Sequence, residues 1–118
     1  MIVKKPTIVI YTCRADATLL KEVCAGIEEE GVLFEVISMS DGRVSTLSAA
    51  ASDASMLGVG IGIVDTEISL HIKGMNVHGG ENEKTALFSY TAPDAATARA
   101  LGSNGARVIK RLPLRLSE

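Results

Sequence analysis

The sequence predicts an α/β fold: a three-layer α/β/α sandwich on a five-stranded mixed sheet in the order 2-1-3-4-5, with the fourth strand antiparallel. Three observations carry that expectation. Short, continuously apolar runs read as strands covered on both faces, stretches of helical period alternate with them, and two strand-like runs meet at a two-residue turn.

Thr7-Ile8-Val9-Ile10-Tyr11 is the first strand, because a β-branched apolar run of five suits the interior of an α/β sheet. From Asp16 the period changes. Leu19, Leu20, Val23, Cys24 and Ile27 recur at helical spacing up to Gly31, a residue suited to the position just past a helix end. Leu33 to Ser38 is the second strand, and Asp41-Gly42 a turn. Val44 to Ser55 is Ala- and Ser-rich, and reads as a second helix with Leu47, Ala50 and Ala51 facing inward. Val59 to Val64 and Glu67 to Ile72 form an antiparallel hairpin across Asp65-Thr66. Gly74 to Thr85 has no period and reads as a loop, followed by a fifth strand, Ala86 to Thr91. Pro93-Asp94 open the last helix, whose inward stripe is Ala98, Leu101, Gly105, Val108 and Leu112, with Ala98 and Gly105 small enough for a close approach to the sheet. Right-handed crossovers place the first two helices on opposite faces.

All 118 residues make one domain, large enough for a single core. An apolar fraction of 47% excludes a disordered chain, and an aromatic fraction of 3% leaves Ala, Val, Ile and Leu to fill the interior. The net charge of -2 supplies no general attraction for nucleic acid or anionic lipid. The apolar runs are far shorter than the roughly 18–20 residues of a membrane helix, and the first residues lack a signal-peptide core, so the expected location is the cytosol. Cys13 and Cys24 have no partners at zinc-ligand spacing and are expected to be free thiols.

Several residues invite a chemical reading. Gly58-Val59-Gly60-Ile61-Gly62 suggests a nucleotide loop, but the third fingerprint glycine falls on Ile63 and no Gly-Lys-Ser/Thr follows. Alternating glycines also strip one strand face so that a helix can approach. Cys13, between a strand and a helix, is placed like the phosphocysteine of sugar-phosphotransferase IIB domains, yet Asp16 would repel a phosphate. Cys24 lies on the inward stripe of its helix and reads as core. His71 and Lys73 share the polar face of the fourth strand and His78 lies in the loop, with no spacing that implies a triad.

Glu28-Glu29-Glu30 is the informative cluster, three carboxylates at a helix C-terminus where the dipole disfavours each by about 0.3–1 kcal/mol. A cation or a partner would relieve that strain, and simple solvation is the alternative. At about 100° per residue Glu29 projects about 160° from the inward stripe, whereas Glu30 lies nearer its edge.

Three segments then align with one family: Ala25-Gly26-Ile27-Glu28-Glu29-Glu30-Gly31; His71-Ile72-Lys73 ahead of Leu87-Phe88; and Leu101-Gly102-Ser103-Asn104-Gly105-Ala106-Arg107-Val108-Ile109-Lys110. With the strand Leu57-Gly58-Val59-Gly60-Ile61, they resemble the small subunit of the diol and glycerol dehydratase reactivating factors. The resemblance implies the same sandwich fold and a chaperone-like accessory role without chemistry of its own. It implies a large, actin-like ATPase partner, and exchange with the large subunit of an adenosylcobalamin-dependent dehydratase so that damaged cobalamin can leave. It also implies that Glu29 helps hold Mg2+ at the interface with the large subunit, flanked there by Glu28 and Glu30. A cytoplasmic location is implied, with residence in a bacterial microcompartment left open. The loop from Gly74 to Ala86 and the ending Arg111-Leu112-Pro113-Leu114 depart from the family pattern. The rival readings are the related dehydratase medium subunit, which is usually longer at its N-terminus, a IIB-like domain phosphorylated on Cys13, and an unrelated interaction module.

Overall fold

The computed structural model describes residues 6–74 and 86–111. In chain order the elements are β1 (Ile8–Cys13), α1 (Ala17–Glu29), β2 (Phe34–Ser38), α2 (Val44–Ala54), β3 (Val59–Val64), β4 (Glu67–Ile72), β5 (Phe88–Thr91) and α3 (Ala95–Lys110). The sheet order is β2-β1-β3-β4-β5, with β1 parallel to β2 and β3, and β4 antiparallel to both of its neighbours. This is the expected topology. The expected loop and His78 lie largely outside the described residues, as does Leu112.

Helix starts follow from side-chain caps. The Asp16 carboxylate accepts from Leu19 N at 3.0 Å and that of Asp94 from Thr97 N at 2.8 Å, each satisfying an amide that the first turn leaves unpaired. Past the end of α1, Gly31 takes φ +72°, a conformation natural to glycine. β1 runs two residues beyond the expected Tyr11, because Thr12 and Cys13 continue the ladder opposite Ile63 and Val64.

α1 and α3 cover one face of the sheet and α2 the other. The first face carries the main core, in which Ile8, Ile10, Val23, Ile27, Ile61, Ile63, Ile68 and Leu70 are fully buried. Gly105 packs onto the methyls of Leu70 and Val59 as expected of a close-approach position. The tightest crossing was not anticipated: Gly26 lies on the backbone of Arg99 and Ser103, and Gly102 on the backbone of Val23, so α1 and α3 touch main chain to main chain.

On the opposite face the glycine strand does what its bare surface allows. A Cβ on Gly62 would lie 2.5 Å from the Val44 carbonyl oxygen, and one on Gly60 would lie 2.6 Å from that of Ser48. α2 therefore rests on β3 itself, and no phosphate loop is formed there. The inward residues of α2 also differ from expectation. Ala50 is exposed, and Ser48 and Ser52 are buried beside Leu47 and Ala51. At this distance small side chains fit whatever their polarity, provided that their hydroxyls are satisfied. Ser48 Oγ meets Ser69 Oγ at 3.0 Å, Ser52 Oγ donates to Ala49 O at 2.7 Å, and Ser55 Oγ to Thr7 O at 2.6 Å.

Candidate interface at the acidic end of the first helix

α1 and α3 run parallel, with Glu22 beside Arg99 and, two turns on, Glu30 beside Arg107. Both helix C-termini therefore meet at one corner, where parallel dipoles leave two sets of unpaired carbonyls side by side. α1 has no basic residue in its last turn, whereas α3 has Arg107 and Lys110. These two cations serve both helices.

Glu30 is where they act. Its carboxylate accepts from Ser103 Oγ at 2.8 Å and from Arg107 Nε at 3.1 Å, and Lys110 Nζ lies 3.5 Å from the other oxygen. Lys110 also donates to the Glu30 backbone carbonyl at 2.8 Å. The Glu30 side chain is only 10% exposed, and the Ser103 hydrogen bond, helped by Arg107 and Lys110, holds its carboxyl below the usual carboxylate range. Much of the dipole strain read from the sequence is thus relieved within the chain.

The other two glutamates differ. Glu29, at the last helical position, is 44% exposed and shares Arg99 with Glu22, at 3.5 Å against 2.7 Å for Glu22. Glu28 is exposed, and its charge, after burial as the main cause, pushes the Cys24 thiol upward. Cys24 is partly buried at the rim of the core. Of the three carboxylates, then, Glu30 faces inward and Glu28 and Glu29 face outward.

Among the described residues no group of three or more His, Cys, Asp or Glu is arranged to hold a metal. A magnesium ion needs only one or two protein carboxylates when waters or phosphates supply the rest. Glu29, 44% exposed at the end of α1, has the carboxylate chemistry such a single donor would need.

The remaining sequence candidates lie apart. The switch point of a doubly wound sheet, where such folds bind ligands, falls between β1 and β3. Here it is closed: Asp16 N donates to Asp65 O at 2.9 Å, Asp65 N to Cys13 O at 3.3 Å, and Arg14 pairs with Asp65 at 3.4 Å. Cys13 is 2% exposed, and the Asp16 carboxylate takes the place at the α1 N-terminus that an anion would need. That geometry disfavours a phosphocysteine. The polar face of β4 that carries His71 is covered. His71 is 3% exposed opposite Gly60, because α2 spans both β3 and β4 and covers the face on which Ser69 and His71 lie, while Lys73 beyond the strand is exposed. A hollow of about 290 Å³ is lined by Glu22, Ala95, Ala96 and Arg99, but its two charges pair with each other.

Two features were missed. Arg99, Ser103, Arg107 and Lys110, spaced four, four and three, form one row of α3 that meets the acidic row of α1, and this helical spacing was available as a signal. The second is β2, where Val36 and Ile37 are exposed at 43% and 39% and Leu33 just before it at 59%. The expected sheet order already sets this strand at the edge, although its local pattern does not say how far its side chains are exposed.

The strand order and the two helix layers define the class, an α/β/α sandwich on a mixed sheet. Residues 5–115 match the family model described as dehydratase medium subunit, and the chain belongs to that family. Within it the chain is similar to the propanediol dehydratase-reactivating factor small subunits of Citrobacter freundii, at 31% identity, and Salmonella typhimurium, at 32%; each match covers 93% of this chain and 90% of the relative. Among solved structures, that of diol dehydratase-reactivating factor complexed with ADP and Mg2+ superposes with a TM-score of 0.83 at 30% identity, over 95% of this chain and 99% of that one. A glycerol dehydratase reactivase gives 0.83 at 28% identity, over 95% and 98%.

Proposed function

We propose that this chain is the accessory small subunit of a reactivating factor for an adenosylcobalamin-dependent diol or glycerol dehydratase. The observation that carries this reading is the near end-to-end likeness, in sequence and in fold, to reactivating-factor small subunits. The working complex pairs this chain with an actin-like ATPase large subunit, which supplies the nucleotide chemistry. Because the chain shares the fold of dehydratase medium subunits, it can compete for the surface that such a subunit occupies. Exchange of one for the other opens a path by which damaged cobalamin leaves. No helix among the described residues is long and apolar enough to cross a membrane.

Glu29 is the residue we assign to Mg2+ at the contact with the large subunit, with Glu28 beside it, and Glu30 positions them by locking the end of α1 to α3. Replacing Glu29 by Gln keeps size and helix propensity but makes a poorer magnesium ligand. We expect Glu29→Gln to weaken binding to the large subunit about tenfold in Mg2+, with no difference from the parent chain in EDTA. Equal affinities in Mg2+, read by calorimetry, would remove Glu29 from the metal site. The family model also favours a second reading, the dehydratase medium subunit itself. Copurification separates the two: stable capture of a dehydratase large subunit, with none of an ATPase, would replace the first reading by the second.

A further inference from the structure

We propose that Arg99 sets how much Mg2+ the assembly needs: it holds the Glu29 carboxylate in the free chain and yields it to the metal on assembly, while Glu22 keeps the displaced guanidinium paired. This rests on the assignment of Glu29 to Mg2+ at the contact with the large subunit.

The arrangement is built into the helix crossing. Arg99 leaves α3 where its main chain lies on Gly26 of α1. Glu22 stands four residues before Gly26 and Glu29 three after it, spacings that put both on the face of α1 that carries Gly26. One guanidinium therefore rises between two carboxylates, and the main-chain contact fixes its place between them.

The two pairs are unequal. Arg99 Nε donates to Glu22 Oε1 at 2.9 Å and Nη2 lies 2.7 Å from the same oxygen, whereas Nε is 3.5 Å from Glu29 Oε1. The Glu22 side chain is also the more enclosed, 19% exposed against 44% for Glu29. Two short contacts in the less exposed place keep the guanidinium paired when the third is given up. The hollow lined by Glu22, Ala95, Ala96 and Arg99 does not include Glu29, so it offers the guanidinium room to draw back on the Glu22 side.

The chemistry of this arrangement is an exchange of cations. A guanidinium stays charged throughout the working pH range, so Arg99 competes for Glu29 whatever the pH. The carboxylate passes to Mg2+, which brings twice the charge, once waters or phosphates complete the rest of the coordination shell.

The readout is the free Mg2+ concentration that gives half of the Mg2+-dependent gain in affinity for the large subunit from the same organism. It is measured by calorimetry and referred to each variant's own affinity in EDTA, so a lost metal-independent contact drops out. Arg99→Gln should lower this midpoint about threefold, the weight of an exposed ion pair. Glu22→Gln should raise it by a similar factor, because Arg99 then turns to Glu29 alone, and should have no effect in the Arg99→Gln background. A midpoint unmoved or raised by Arg99→Gln would overturn the role of Arg99, as would equal shifts by Glu22→Gln in both backgrounds, which mark a long-range effect of charge. If Glu29→Gln meanwhile loses the Mg2+-dependent gain, the assignment of Glu29 stands without Arg99. If Glu29→Gln keeps the whole gain, or the parent chain does not bind the large subunit, that assignment falls and the role of Arg99 falls with it. Thermal unfolding checks each variant. Should Arg99→Gln not fold, Glu22→Gln alone decides, and a parent-like midpoint overturns the proposal.

Discussion

Two glycines three residues apart in α3 should respond to the same substitution with opposite sign. In an open helix Gly→Ala stabilises by about 1 kcal/mol, because alanine loses less backbone freedom on folding. At Gly102 the added methyl would meet the Val23 carbonyl, with Val23 C at 2.9 Å and Cα at 3.2 Å. All three atoms are main chain of α1, so relief requires the whole helix to move. Overpacking costs about 1–3 kcal/mol, and a contact with rigid backbone belongs at or above the top of that range. The net expectation for Gly102→Ala is a loss of about 2 kcal/mol, or roughly 8 °C in Tm for a domain of this size. At Gly105 the nearest atoms are Leu70 Cδ1 at 3.3 Å, Val59 Cγ1 at 3.4 Å and Ile8 Cδ1 at 3.7 Å, all ends of side chains that can yield by a few tenths of an ångström. Here the helix-propensity gain offsets most of the crowding, and Gly105→Ala should leave Tm unchanged or raise it slightly. Differential scanning calorimetry of both variants decides the matter. A Gly102→Ala chain as stable as its parent, or the larger loss at Gly105, would refute the main-chain crossing of α1 and α3.

The clamp on Glu30 should be visible in acid. Its carboxyl titrates below the unfolded range of about 4.3, so it stabilises the fold fully above that pH and the contribution disappears as pH falls through the lower folded value. Glu30→Gln should cost about 1 kcal/mol at pH 7 and progressively less below pH 4, as measured by urea unfolding; an equal gap at pH 7 and pH 3 would contradict the assignment. At the start of the same helix, Asp16→Ala removes the acceptor for Leu19 N and should cost about 1 kcal/mol, with Asp16→Asn nearly neutral. If alanine and asparagine unfold at the same urea concentration, the cap contributes nothing.

Much of the fold was legible because its strongest signals are local. Val59–Val64 and Glu67–Ile72 form the hairpin with the expected ends, since a tight turn between two strand-like runs leaves little freedom. The sheet order followed from crossover handedness and the antiparallel turn. What failed was the assignment of faces where packing is closest. Serines at 48 and 52 and His71 look solvent-facing by composition, yet glycines 60 and 62 on the neighbouring strand draw α2 down over them. Polarity predicts exposure only when the partner surface keeps an ordinary distance. The exposure of Val36 and Ile37 follows from the place of β2 at the sheet edge, which the expected strand order already contains.

The acidic cluster shows the same limit at the level of function. Dipole and helical angle correctly place Glu29 outward and Glu30 near the edge of the buried face, but they treat α1 as though nothing cationic lay beside it. The missing neighbour is α3, whose register against α1 depends on Gly26 and Gly102 allowing main-chain contact. That contact brings Ser103, Arg107 and Lys110 to Glu30, and Arg99 to Glu22 and Glu29. Three consecutive identical residues thereby acquire different environments: a buried anchor, a carboxylate shared at 3.5 Å, and an exposed one. The anchor limits the motion of the backbone at the end of α1, which the role proposed for Glu29 in holding a divalent cation across an interface would require.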